Sequence, residues 1–575
     1  MGKSVFDQLP AAYPRRFVPA TADLTNKDIV VGLLKSLLSR EIVSKESFEQ
    51  WILDNSEFGA ALSQAGSVLY IAMTCATDDP LKAAAYQAFV ENVEPAVKPL
   101  GDELNKKFLV LAEKFPLDQR RYEVALRAAK ADVALFVDKN VPLQTEVALL
   151  SQEYQAVSGA MMVDFEGKER TLPEMAKYLL MTDRDLRERA WRATAARRLQ
   201  DKDKFEGIFD KMRVLRQSIA ANAGCANFRD YMFKAYHRFD YTPDDCKAYQ
   251  HAVKDVVVPL RREIDLHRQK DMGIDRLKPW DGAVDPLGRE PLEPFKEAGQ
   301  LIDGVERVFS RLDSDFAGLY RDMKGLGLLD LQSRKGKAPG GYQNTLNEAR
   351  KPFIFMNAVG VDDDIRTLLH ESGHAFHAYL SAHDPLVEYR HAPMEFCEVA
   401  SMSMELMADE FLGEFYPPRE AKRSSVELLE GIVSTLAWVA TIDAFQHWIY
   451  ENPGHSPQSR REAWVRFNTE FGGGVVDWSG LDEERAYFWH RQLHIFEVPF
   501  YYIEYGIAQL GALQIWSLFK DSPGDAVAFY KKGLSLGGSR PLPELFKAAG
   551  IKFDFSKDMI APLINKVYRQ WKERL

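Results

Sequence analysis

Residues 362–380 read DDDIRTLLHESGHAFHAYL. Within them His370-Glu371-Ser372-Gly373-His374 is an HExxH pattern. On a helix, side chains four residues apart are separated by about 40° around the axis and one turn along it. Two imidazoles so placed can take two corners of a tetrahedral zinc, and the glutamate between them can reach a metal-bound water. The local sequence supports a helix. Three aspartates, Asp362, Asp363 and Asp364, offer an N-cap and favourable charge at its positive end. Ile365, Leu368, Leu369, Ala375, Phe376, Tyr379 and Leu380 form an apolar stripe roughly 140° wide, with His370, His374 and His377 opposite. With 12 His in 575 residues, the pattern should arise by accident in roughly one such chain in fifty. An accidental match would have no reason to fall on an amphipathic helix with its histidines off the core stripe.

A hydrolytic zinc needs a third protein ligand and one open position. Position 380, where the metzincin spacing would put a histidine, is Leu380. His377 lies a turn too far to share the metal, and packing or hydrogen bonding is the expected role. The next helical stretch, 394–410, reads MEFCEVASMSMELMADE. Its Glu395, Glu398 and Glu405 share roughly one face, in apolar surroundings where a carboxylate requires a partner. Spacing ranks Glu398 ahead of Glu395 and Glu405 and leaves all three open.

The chain upstream prepares this helix. Residues 325–360 are rich in glycine and turn signals and contain the run Phe353-Ile354-Phe355-Met356, which predicts a small sheet just before it. Further back, residues 26–53, 81–98, 101–114, 118–138 and 142–158 carry helical periodicity with short connections, as in a bundle. A lead-in with Pro10, Pro14 and Pro19 precedes them. Glu166-Gly167 predicts a hairpin turn, and Thr171-Leu172-Pro173-Glu174 a capped helix start. The charge-dense run 183–204 reads as a solvated helix face laced with i,i+4 pairs. Residues 273–295 read as an irregular excursion between helical stretches. Downstream, 418–450 is helical in one or two pieces, and 481–535 is helical and strongly aromatic near 488–505.

Net charge is −10, which argues against a nucleic-acid partner. The four cysteines form no CxxC pair, so neither a disulfide framework nor a cysteine-rich zinc site is expected, and reduced thiols fit a cytoplasmic protein. There is no apolar leader pattern and no uninterrupted apolar run of membrane-spanning length, so no membrane partner is expected. Oligomeric state is left open.

HESGHAFH, followed by Phe396-Cys397-Glu398-Val399-Ala400-Ser401, resembles the thimet oligopeptidase and oligoendopeptidase F family of zinc metallopeptidases. GGYQNTLNEARKPFIFMN resembles the family's edge strand, and HIFEVPFYYIEYGIAQLGALQIW (494–516) its tyrosine-rich segment. The resemblance is good over about 180–570. It implies a mainly α fold, two helical lobes around a deep substrate channel, with a small β-sheet beside the HExxH helix. An N-terminal helical lobe would span 1–180 and the catalytic region 181–575. It implies one Zn2+ held by His370, His374 and Glu398, with Glu371 as general base and Glu395 orienting a ligand. His494, Tyr505 and, less directly, Tyr502 match the family's substrate-binding and oxyanion-stabilising residues. Phe500 or Pro499 stands where some members have another tyrosine. Chemistry gives a compatible reading, since Tyr501, Tyr502 and Tyr505 are neutral donors at helical spacing.

The expected activity is hydrolysis of internal bonds in short unfolded peptides. An exopeptidase using the same ligands would need a cation for the substrate's terminal carboxylate, with Arg390 and Arg491 as candidates. A non-catalytic zinc peptide-binding protein is the third reading.

Overall fold

Helix follows helix wherever the apolar period is near 3.6, and the exceptions are informative. The computed structural model describes Phe6, Leu9 and residues 13–575, so Pro10 of the predicted lead-in lies outside the described residues. The periodic stretch 26–53 is two helices, Lys27–Ser39 and the start of Lys45–Cys75. The break falls where Ser44 caps the second helix: Ser44 Oγ accepts from the Ser47 N–H at 3.2 Å, and Ser47 Oγ accepts from the Ser44 N–H at 2.9 Å. Conversely, the stretches 81–98 and 101–114 join into continuous helix. A π-turn at Phe89–Val93 links Pro80–Ala88 to Glu94–Lys114 just before Pro95. A second π-turn, Val253–Val257, precedes Pro259 in the same way. The wider turn accommodates a residue that lacks an N–H and crowds the preceding turn, so the helix continues through the proline.

The chain forms two compact units, each built from three segments. The first comprises Met1–Ala134, Leu292–Ser424 and Ala508–Phe553, the second Leu135–Pro291, Ser425–Ile507 and Asp554–Leu575. The boundary expected at residue 180 falls inside the second unit.

In the first unit, a core of Val30, Leu34, Phe48, Trp51, Phe58 and Phe108 holds the N-terminal helices together. A three-stranded sheet lies before the motif helix, as predicted. Its central strand, Lys351–Ala358, pairs parallel with Leu329–Gln332 and antiparallel with the edge strand Tyr342–Leu346. Phe353, Ile354, Phe355 and Met356 are all buried. Both faces of the strand are covered, which is why it reads as a continuous apolar run. Gly360 then turns the chain into the motif helix at φ 100°, where a Cβ would sit 2.9 Å from the Phe295 carbonyl oxygen.

In the second unit, the predicted hairpin pairs Met162–Phe165 with Lys168–Thr171 across Glu166 (φ 52°) and Gly167 (φ 72°). This left-handed pair is the turn that matches strand twist. Thr171 and Glu174 form the predicted capping box. The charged run lies on the helices Arg184–Gln200 and Lys202–Asn222. Arg192–Glu188 and Arg197–Asp201 are i,i+4 pairs. Arg187 departs from the solvated reading: it is buried and pairs at 3.0 Å with the fully buried Asp281 in the otherwise irregular 273–295 excursion.

Two helices, Lys45–Cys75 and Pro418–Glu451, have the length and mean hydropathy of a membrane span. Two-thirds of the second's apolar window is buried, at 67%, as in a core helix. The first contributes Phe48, Trp51, Phe58 and Ala61 to its unit's core.

Candidate metal centre

The motif helix spans Asp362–Ser381, and its stripe is buried as expected at Ile365, Leu368, Leu369, Ala375 and Phe376. Phe376 stacks on Phe316 at 4.7 Å and meets Phe309 edge-on at 4.9 Å. The cap differs from the expectation. Val361 is the N-cap residue, and the aspartates occupy the first turn. Asp364 reaches back to accept the N–H groups of Val359, Gly360 and Val361 at 2.8, 2.8 and 3.0 Å. One carboxylate therefore fixes the whole strand-to-helix loop while facing the positive helix end.

The second helix, Met394–Ala408, crosses the first in very close contact at Gly373. A Cβ at 373 would lie 2.6 Å from Ser401 Cα and 2.7 Å from the Ala400 carbonyl oxygen. Only a glycine permits that approach. Arg366 braces the other end, donating to Asp409 at 2.8 Å and to Ser424 at 2.7 Å.

This approach brings Glu398 to the histidines. Glu398 Oε2 is 3.3 Å from His370 Nε2 and 3.7 Å from His374 Nε2. One donor atom from each of the three residues lies within 4.8 Å of the others. The edge of a tetrahedron with 2.0–2.1 Å metal bonds is about 3.3 Å, so the spacing and the two-histidine, one-carboxylate donor set both fit zinc. The local field also favours positive charge. Burial works against charging His370, yet Glu398 and Glu405 hold its pKa well above the usual imidazole value. Burial likewise resists ionising Glu398, but His370, His374 and Ser401 hold it at about 2. Burial draws His374 down to about 4, so it offers a neutral nitrogen.

Glu371 is buried beside these donors. Burial, opposed by His370 and reinforced by Glu398, raises its carboxyl to about 7, and the Gln343 backbone of the edge strand hydrogen-bonds to it. The remaining carboxylates separate in role. Glu405 Oε1 lies 2.7 Å from His370 Nδ1 and so orients the ring. Glu395, to which the resemblance gives an orienting role, is buried in the helix's first turn. Ser401 Oγ approaches Glu398 Oε2 at 3.0 Å. His377 packs edge-on against Phe396, and its Nε2 has no hydrogen-bond partner among the described residues. Gly373, Glu405 as orienting partner, and Ser401 are the contributors that sequence reading missed. Glu405 was visible as the third carboxylate on the face; the other two carry no local signal.

His494, Tyr501, Tyr502 and Tyr505 belong to the second unit and form one aromatic cluster. The His494 ring lies 4.9 Å from Tyr502 and 6.0 Å from Tyr505, and the two tyrosine rings are 5.3 Å apart. Gln492 Nε2 is 2.7 Å from His494 Nδ1. Arg216 donates to the Ile495 carbonyl at 3.1 Å, anchoring the short helix Leu493–Glu497. Phe500 then reverses the chain at φ 69°. Its N–H is taken by Gln446 Oε1 at 2.8 Å and its carbonyl by Arg238 at 2.6 Å. Arg238 also pairs with buried Glu504 at 2.7 Å. A strained non-glycine residue is thus held from both sides. Of the two candidate carboxylate-binding arginines, Arg390 is buried in the first unit and donates to the Asn347 carbonyl at 2.6 Å. Arg491 lies in the second unit, where it and Arg198 line a largely apolar cavity of about 170 Å³.

Residues 177–563 match the sequence model of peptidase family M3. The chain is 24% identical over 344 residues to the oligopeptidase PepF of Bacillus subtilis, covering 57% of this chain and 48% of that protein. It is 25% identical over 321 residues to an oligoendopeptidase F homologue of Borreliella burgdorferi, covering 52% of each. The matches thus span about half the length of these curated relatives. The solved structure of PZ peptidase A superposes with a TM-score of 0.86 at 27% identity, covering 97% of this chain and 99% of that one.

Proposed function

The chain belongs to peptidase family M3, and from that premise we propose that it is a zinc-dependent endopeptidase acting on internal bonds of short, unfolded peptides. The observation that carries the reading is the convergence of His370, His374 and Glu398 on one point beside the buried Glu371. When bound there, zinc supplies a Lewis acid and lowers the pKa of water toward about 7.

The protein's own groups do the rest. Glu371 takes the proton of the attacking water and delivers it to the leaving nitrogen, a role suited to a carboxyl that burial has raised to about 7. The hydrogen bond from the edge-strand backbone at Gln343 keeps that carboxylate aimed. Glu405 fixes the His370 ring and its tautomer. Tyr505 and Tyr502, with His494, serve as donors to the substrate and its developing oxyanion. Burial raises the Tyr502 phenol above its usual value, so it is a neutral donor at neutral pH. We place the reaction in the cytoplasm, where the four cysteines, all free thiols, stay reduced.

The test is a peptide-length series, each peptide with free and blocked ends, digested with and without a chelator and read by mass. Internal cleavage of blocked peptides, abolished by the chelator, is expected, with folded proteins left intact. Release of terminal residues from free-ended peptides alone would make it an exopeptidase. Zinc binding without hydrolysis of any peptide would make it a binding protein.

A further inference from the structure

The second unit holds another set of metal-ligating side chains that peptide hydrolysis does not use. Asp443 and His447 are four residues apart on the helix Pro418–Glu451 and share a face. Cys246 comes to them from the helix Pro243–Ala252. One ligand atom from each, a thiol sulfur, a carboxylate oxygen and an imidazole nitrogen, lies within 4.8 Å of the other two. The three residues are 1%, 0% and 2% exposed.

Their polar atoms are poorly satisfied by the protein. His447 Nε2 stands 3.5 Å from Asp443 Oδ2, and neither nitrogen of His447 has a hydrogen-bond partner among the described residues. Asp443 Oδ1 has none either, while Oδ2 accepts from Gln250 Nε2 at 2.7 Å. Arg238 donates through Nη2 to Glu504 at 2.7 Å and to the Phe500 carbonyl at 2.6 Å. A half-bonded buried carboxylate beside an unbonded buried imidazole is costly, and native proteins rarely leave such groups without a partner.

We propose that Cys246, Asp443 and His447 form a second site for a divalent metal of zinc type. The cysteine gives its proton to solvent on binding. The resulting thiolate and the carboxylate then balance the two positive charges, and the imidazole binds neutral. Sulfur, nitrogen and oxygen donors together suit zinc or cobalt and not magnesium or calcium. The site would tie the two helices together beneath the tyrosine segment, because the His447 ring meets Phe500 edge-on at 5.5 Å.

Cobalt distinguishes the two centres, since only this one offers a thiolate. The chain is stripped with chelator and reloaded with Co2+, and metal content and absorption are read together. Two metals per chain are expected, with a thiolate-to-cobalt charge-transfer band in the near ultraviolet. The band should persist in His374→Ala, with one metal per chain, and vanish in Cys246→Ser. Loaded wild-type chain with one metal and no thiolate band would overturn the proposal, and needs no variant to fold. A band that survives in folded Cys246→Ser would overturn it as well.

Discussion

Replacing Gly373 with alanine adds one methyl group where two helix backbones meet. That Cβ would fall 2.6 Å from Ser401 Cα and 2.7 Å from the Ala400 carbonyl oxygen. Carbon atoms rest at about 3.5 Å or more, so the helices must separate by about 1 Å or tilt. Both contacts are backbone, and no rotamer change relieves them. Glu398 lies one turn from Ser401 and moves with it. Its present separations from the two histidine nitrogens, 3.3 and 3.7 Å, are already at or just above a tetrahedral edge of about 3.3 Å. A further ångström takes the carboxylate out of ligand range. Alanine gains up to about 1 kcal/mol of helix propensity over glycine, while overpacking costs about 1–3 kcal/mol. Net stability therefore falls by no more than about 3 kcal/mol. Metal retention should instead fall about 10–100-fold, as when support for a ligand is lost. The assay is the chelator concentration that halves peptidase activity, with circular dichroism and Tm confirming the fold. Wild-type metal retention and turnover in folded Gly373→Ala would refute the claim that this helix contact positions Glu398.

Glu405→Gln should bind metal roughly 10-fold more weakly and Glu405→Ala up to about 100-fold, by loss of the carboxylate on His370; equal affinity in all three proteins, by metal-competition titration, would remove Glu405 from the centre. Arg238→Met leaves Glu504 buried without its cation, so it should lower stability by about 3–5 kcal/mol, measured by denaturant unfolding. Burial opposes ionisation of Asp330, but Arg334, Cys75 and Lys337 outweigh it and hold the pKa at about 2. This folded-state pKa lies below the unfolded one. The stabilisation, about 2 kcal/mol, is therefore complete above pH ~4 and lost as pH falls through ~2. Asp330→Asn should flatten stability against pH in that window.

What could be read from sequence was local. The HExxH pattern, the Phe353–Met356 run, the hairpin at Glu166-Gly167 and the capping box at Thr171 each depend on neighbours a few residues away, and the structure contains all of them. The third donor was narrowed to Glu395, Glu398 and Glu405 by residue chemistry, and resemblance pointed to Glu398. The choice depends on how two helices cross, and therefore on Gly373, a position the motif leaves unspecified. The break read between 81–98 and 101–114 is absent, because Pro99 lies inside the continuous helix Glu94–Lys114. The interleaved units, and the meeting of Cys246 with Asp443 and His447, join residues far apart in the chain and leave no periodic trace.

In the proposed reaction Glu371 moves the proton at a centre held by His370, His374 and Glu398. Single-turnover cleavage of an end-blocked peptide by Glu371→Gln, with metal content measured on the same sample, tests it most directly. Wild-type metal content and a rate lower by about 10²–10⁴ are expected. A near-normal rate with metal in place would contradict it.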